Sequence, residues 1–376
     1  MELNIVERRS IGLTCARFQF MLKSQIIAIS KFIPNLPNPV IESISKIPAS
    51  DTVSIIAAIY KESDLRFTSI RCLASGSNED LIYIQDETGR ILTTGIPADK
   101  YVSGVIIGVT GQLLISESFI EFNVFSITEP SYSKALYPIV RPKCKIAIVS
   151  DLQLDSNDFD VASSNLCFSN LEKDISLFII IGNTFSLPED TFFLKQEWEQ
   201  NIQLTDTSPI EMLTTFCENI NCKKLIVPGK NDPTSLIWPQ NPIDPILFQE
   251  IDDVESVSNP TKFSINNISF VCCTGDVIEQ IQMNTSFSFI ESQVAILRWG
   301  LMSPSIPFQV HYSSGASSDI VFFDEMPNFF VSGNADTFAV TVYNGCHVVS
   351  VPKYFKYYSI VVIDLESGDI SLRGLN

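Results

Sequence analysis

Four short polar clusters in the second half of the chain carry the residue types that could do chemistry. They are Asp151-Leu152-Gln153, Gly182-Asn183, Pro228-Gly229-Lys230-Asn231-Asp232-Pro233 and Ser332-Gly333-Asn334-Ala335-Asp336, each behind an apolar run. The carboxylates Asp151, Asp232 and Asp336 offer hard oxygen donors, the kind that hold Mg²⁺ or Ca²⁺ loosely. Amides bind transition metals poorly, and Lys230 brings a positive charge into the third cluster. Both histidines of the chain, His311 and His347, lie outside all four clusters. Two-metal hydrolysis of a phosphoester uses imidazoles and a bridging carboxylate to hold ions about 3.5–4 Å apart. An acid or an activated water near neutral pH is usually a histidine's task. These residues therefore predict no catalytic group, no metal ligand and no cofactor, only polar side chains that end strands and cap loops.

The elements that must position them have an α/β pattern. Lys145–Ser150 and Leu177–Ile181 are continuous, β-branched runs, as expected of parallel strands buried on both faces. Ser208-Pro209-Ile210-Glu211 is a capping box with proline at the first helical position. Behind it Leu213, Phe216, Cys217 and Ile220 share one face, and Lys224–Val227 returns to strand. This is a βαβ unit, with any site at its strand ends. Phe329–Val331 is the strand that leads into the last cluster.

Upstream the pattern is all β. Short apolar runs at Val53–Tyr60, Thr68–Ala74, Leu81–Gln85, Arg90–Thr94, Val102–Thr110 and Phe119–Ser126 are separated by turn signals such as Ser75-Gly76-Ser77-Asn78 and Thr88-Gly89. So many short strands in so little chain suggest a small barrel of the OB type, with a sandwich as the alternative. Ahead of it, Phe18, Met21, Leu22 and Ile26 fall at roughly helical spacing within Ser10–Ser30, and Pro34, Pro37 and Pro39 end the helix in a linker. A second boundary falls near Pro130–Pro142.

Composition narrows the function classes. Hydrophobic residues make up 45% of the 376, including 26 Phe, which fits well-filled cores or a subunit whose apolar patches a permanent partner covers. The apolar runs Leu177–Ile181 and Val105–Val109 are far too short to span a bilayer, and no signal peptide is evident. Nine cysteines without a CxxC, with Cys272 and Cys273 adjacent, resemble neither a disulfide framework nor a zinc site and suggest a reducing compartment. The net charge is −18, and residues 61–130 carry 5 Lys/Arg against 10 Asp/Glu. A surface this acidic repels phosphate backbones. Tyr83, Tyr101, Phe119 and Phe122 could form a stacking platform for single-stranded DNA, but at strand spacing in an acidic barrel they are expected in its core.

The order of the four clusters resembles the metallophosphoesterase (calcineurin-like) motifs DxH, GD, GNHD and GHxH. Against that pattern Asp151 is kept and Gln153 stands for histidine; Gly182 is kept and Asn183 stands for aspartate. Gly229 and Asp232 are kept, with Lys230 and Asn231 for asparagine and histidine, and after Gly333 both histidines are replaced, by Asn334 and Asp336. The resemblance thus implies a site whose motif positions are vestigial.

A barrel ahead of such a domain resembles the B subunits of replicative DNA polymerases. Within Leu225–Phe248, the spacing of Pro228-Gly229, Asp232-Pro233, Pro239-Gln240, Pro242 and Phe248 is similar to the delta type. Ser258-Asn259-Pro260, Val351-Pro352-Lys353-Tyr354 and the barrel segments Asp86–Ile91, Tyr101–Val105 and Ile56–Lys61 add to it. The expected fold class is α/β with an all-β module: an N-terminal helical segment and linker over residues 1–45, an OB-fold barrel over 46–135, then a metallophosphoesterase-like α/β sandwich over 141–376. The resemblance implies a nuclear, non-catalytic subunit of a polymerase delta complex. Its implied partners are the cysteine-rich C-terminal domain of the catalytic subunit and a third subunit, with DNA reached only through the complex and no membrane. The alternatives are the B subunit of polymerase alpha or epsilon and, in another class, an active metal-dependent phosphoesterase, which the missing histidines oppose.

Overall fold

The computed structural model describes residues 3–5, 18–37, 39–49, 51–62, 80–116, 120–154, 156, 159, 164, 174–186, 209–218, 220–249, 251–305 and 323–374. Residues 10–17, 68–74 and 208, Phe119 and His311, which the sequence pattern singles out, lie outside them.

In chain order, β1 (Leu3–Ile5) precedes helix α1 (Phe18–Ser30) and β2 (Val40–Ile41). Then come β3 (Thr52–Glu62), β4 (Leu81–Gln85), β5 (Arg90–Thr94), β6 (Ile106–Ile115) and β7 (Ile120–Thr128). Strand order β2-β3-β4-β5-β7-β6, closed by antiparallel pairing of β3 with β6, makes a five-stranded barrel with β2 alongside, the OB arrangement. Alternation fills it: Val53, Ile55, Ala57 and Ile59 of β3 are buried in one cluster with Ile84, Val109 and Phe122. Leu22 and Ile29 of α1 cover the outside of β3 at Ala58. The run at 102–110 is not all strand. Gly104 takes φ +91° and turns the chain, so β6 begins only at Ile106.

The second half has two six-stranded sheets face to face. One runs β11 (Val254–Ser256), β10 (Lys223–Val227), β9 (Ile175–Ile181), β8 (Lys145–Ser150), β17 (Ser359–Asp364), β18 (Ile370–Gly374). The other runs β1, β12 (Thr261–Ile265), β13 (Ile268–Cys273), β14 (Phe329–Ala335), β16 (Cys346–Pro352), β15 (Ala339–Tyr343). Along β8, Ile146 and Ile148 face the opposite sheet while Ala147 and Val149 face helix α2 (Pro209–Glu218) through Leu213, Phe216 and Cys217. Burial on both faces explains the unbroken apolar run. The outer face of the β14 sheet is covered by α3 (Asp276–Asn284) and α4 (Phe289–Trp299), and the barrel packs on those helices in one continuous core.

That seam is tightly specified. Lys61, 3% exposed, sets its Nζ 2.9 Å from Asp80 Oδ2. It also donates to the carbonyls of Ala98 (2.8 Å) and, across the seam, Asn284 (2.6 Å). Tyr101 stacks on Trp299 with ring centroids 6.3 Å apart. A Cβ on residue 104 would overlap the Pro304 carbonyl, so glycine is needed there for space as well as for its positive φ.

Of the candidate stacking residues, Tyr101 and Phe122 are in the core, as expected. Tyr83 is not. It is half-buried on the outer face beside Tyr60, because its neighbours Ile82 and Ile84 take the inward positions of β4. The Arg90 guanidinium carbon lies 3.3 Å from the Tyr60 ring centroid.

Candidate functional site: the loops at the strand ends

The C-terminal ends of β8, β9 and β10 bring the first three clusters side by side, and β14 supplies the fourth. Parallel pairing of β8 with β9 and of β9 with β10 sets this register. Asp151, Gln153, Asn183 and Asn334 all take positive φ, between 45° and 58°. That conformation is unusual for non-glycine residues, though asparagine and aspartate tolerate it best. It turns each loop sharply off its strand. The turns interlock: Asp151 donates its backbone N–H to Gly182 O (3.0 Å), and Gln153 does so to Asn183 O (3.1 Å). A Cβ on Gly229 would overlap the Asn183 backbone, so the third loop lies flat against the second.

The fourth cluster differs from its sequence expectation. Ser332, Gly333 and Asn334 do not follow a strand ending at Val331 but belong to β14, which runs on to Ala335 through a bulge between Ser332 and Ala335. The αL turn at Asn334 makes the bulge, and Ser150 holds it by accepting from the Asn334 N–H (2.7 Å).

The acids are engaged in holding these loops. Asp232, 4% exposed, accepts the Gly229 N–H at Oδ2 (2.7 Å) and the Phe185 N–H at Oδ1 (3.2 Å). Burial nonetheless pushes its carboxyl up to about 7. Asp151, 2% exposed, accepts from Gln153 Nε2 (3.1 Å), and burial again raises its carboxyl above the ordinary range. Asn183 Oδ1 accepts the Asn231 N–H (3.2 Å). Asp336 is apart from the rest, largely exposed and 3.2 Å from Lys353 Nζ.

These residues do not fit a pair of metal ions. The Asp151 and Asp232 carboxylates accept from protein donors, and burial favours their neutral forms. Lys230 and Lys353 both act on Asp151. Among the described residues no group of three or more His, Cys, Asp and Glu is placed to hold a metal ion. His347 lies elsewhere, its Nδ1 2.6 Å from the Tyr137 hydroxyl and its ring stacked on Phe329.

Sequence reasoning missed a second ring of polar residues. Asn259 Nδ2 donates to Thr274 Oγ1 (2.8 Å), Thr274 Oγ1 donates to Asp276 Oδ2 (2.8 Å), and Gln240 Nε2 donates to Gly229 O (2.7 Å). Gln240 and Asn259 stood out only as part of a family pattern. No local signal marks Thr274 or Asp276, but the Ser288-Phe289-Ile290-Glu291 capping box and Gly300 could have revealed α4 beside them.

An OB barrel fused to a two-sheet α/β sandwich, with its loop cluster at the strand ends, is a two-module architecture whose site is built for hydrogen bonding. Residues 146–340 match the family model described as the B subunit of DNA polymerase alpha/epsilon, and residues 13–125 match the DNA polymerase delta subunit OB-fold domain. The first match spans more than half of the chain, and the chain belongs to that family. It is similar to the DNA polymerase delta small subunit of Oryza sativa subsp. japonica, 22% identical over 319 residues, covering 78% of this chain and 73% of the relative. Its counterpart in Saccharomyces cerevisiae is 23% identical over 351 residues, covering 78% and 69%. A segment of 153 residues is 27% identical to DNA polymerase delta subunit 2 of Drosophila melanogaster, covering 38% and 36%. Among solved structures, an archaeal phosphodiesterase aligns with 61% of this chain and 99% of its own at 13% identity and a TM-score of 0.34. A likeness that low carries no weight, and the fold rests on the strand order.

Proposed function

We propose that the chain is a non-catalytic accessory subunit of a nuclear DNA polymerase delta complex, serving replication and repair. The observation that carries this is the family match over 146–340 together with delta small subunits that align across most of both chains. The motif residues from Asp151 to Asp336 are then remnants of a phosphodiesterase site whose loops have been freed from catalysis to hold structure and contact protein. In this reading residues 1–45 form a leading segment, 46–135 the barrel and 141–376 the phosphodiesterase-like domain. The partners are the cysteine-rich C-terminal domain of the catalytic subunit and a third subunit, with DNA contacted only through the assembly.

The test is coexpression with the C-terminal domains of the delta, alpha and epsilon catalytic subunits, followed by size-exclusion chromatography. Co-elution with the delta domain is expected. Co-elution with alpha or epsilon alone would move the assignment within the family. The purified chain should hydrolyse neither a chromogenic phosphodiester nor DNA ends with Mn²⁺, Mg²⁺ or Zn²⁺. Metal-dependent hydrolysis that Asp232→Ala abolishes would make it an enzyme.

A further inference from the structure

Beside the strand-end loops, a cleft of about 410 Å³ opens between the segment following β10 and helix α3. Its rim is apolar and bare to solvent: Leu236 is 68% exposed and Met283 53%. Its walls are mixed: Trp238 and Val277 are buried apolar side chains, and Gln240, Asn259 and Thr274 belong to the polar ring beside the loops. The charge on this lining is carried by Asp276 and Glu279 against a single described cation, Lys230. Lys230 acts on both acids, and Lys353 acts on Glu279 from outside the lining, which leaves the lining itself one acid in excess. The Lys230 Nζ stands 3.7 Å from Asp276 Oδ1, long for an ion pair, on a side chain that is half exposed.

We infer that this cleft docks a linear segment of a protein partner in which a lysine or arginine lies next to a large apolar side chain. The inference rests on the accessory-subunit reading and adds to it the chemistry of one contact. Two exposed, flexible apolar side chains flanking a groove are what a hydrophobic anchor needs, and methionine adapts to its shape. The carboxylates of Asp276 and Glu279 select the neighbouring charge. Glu279 is partly desolvated, and burial raises its carboxyl above the ordinary range. A cation entering the cleft would favour its charged form. The chain's net charge of −18 draws a basic segment in and repels an acidic one or a nucleic acid.

The experiment uses fluorescent peptides of about fifteen residues, tiled across the subunits that co-purify with the full chain, read by anisotropy. At least one peptide with a basic residue beside an apolar one should bind. Leu236→Glu and Glu279→Lys should each raise its Kd at least tenfold, while Ile139→Glu, at an exposed apolar site outside the cleft, leaves it unchanged. Leu236 and Ile139 are exposed, so thermal melts should confirm that these variants fold. If spermidine displaces the peptide from the wild type and Leu236→Glu alike, the cleft takes any cation and the inference falls. It also falls if no tiled peptide responds to both cleft variants while the polymerase complex still forms. Absence of the complex itself would instead sink the accessory-subunit reading.

Discussion

At the seam between barrel and sandwich, Lys61 and Asp80 form a buried ion pair whose ammonium also reaches two backbone carbonyls. At the strand ends, Asp151 and Asp232 are as deeply buried yet accept from amides and N–H groups, with Lys353 and Lys230 acting on Asp151 through their charge. The first arrangement keeps charge and directs it across a junction. The second disfavours charge, because burial pushes both carboxyls above the ordinary range. Charge is held where the two modules join and disfavoured by burial at the strand ends.

The comparison can be broken most forcefully at Lys61. Lys61→Met leaves Asp80 buried without its cation and should destabilise the chain by about 3–5 kcal/mol. Lys61→Met with Asp80→Leu should recover most of that, because removing both charges also removes their desolvation. Guanidinium denaturation reads both. Equal losses in the single and double variants would show that the ion pair is not what Lys61 contributes.

Gly104→Ala attacks the same seam by shape. Its positive φ and the Pro304 carbonyl leave no room for a Cβ, so a loss of about 2 kcal/mol or more is expected from the denaturation midpoint. A variant as stable as the wild type would mean that the junction can slide.

The strand-end loops are sharpened by pH. Asp232, held at about 7 by burial, keeps a proton in the folded chain that the unfolded chain releases near its ordinary value of about 4. The folded state therefore binds more protons in that window, and this contribution to stability falls as pH rises from about 4 through about 7. Asp151 and Glu279, raised by the same cause, act in the same direction. His347, lowered by burial, acts oppositely: it favours the folded state above its ordinary range and is lost as pH falls. The clean readout is the difference between wild type and Asp232→Asn. That difference should shift against the wild type between pH 5 and pH 8, and a constant difference would place the Asp232 carboxyl in the ordinary range.

The smallest effect is expected on the barrel's outer face. Arg90 lies over Tyr60 at an exposed position and also donates to Gln85 Oε1. Arg90→Ala should therefore cost about 0.5–1 kcal/mol. A loss as large as that of Lys61→Met would place the seam's importance in doubt.

The sequence by itself determined the strands that carry the site and the composition of the site. The continuous, β-branched runs Lys145–Ser150 and Leu177–Ile181 read as strands buried on both faces, and β8 and β9 are that, with β9 starting two residues earlier at Ile175. Leu213, Phe216, Cys217 and Ile220 were legible as one buried face because helical period is a local property. Glutamine, asparagine and lysine at the four clusters could likewise be weighed as chemistry without coordinates. Tertiary structure alone decided the rest. It placed Asp336 outside the cluster, drew Ser332–Asn334 into β14 and turned Tyr83 outward. It also set Thr274, Asp276 and Glu279 beside loops distant in sequence, and paired Lys61 across the seam with a carbonyl 223 residues away. The reason is range. Periodicity and capping are fixed by neighbours within a turn or two, whereas bulges, exposed faces and buried charges are settled by whichever element packs against them.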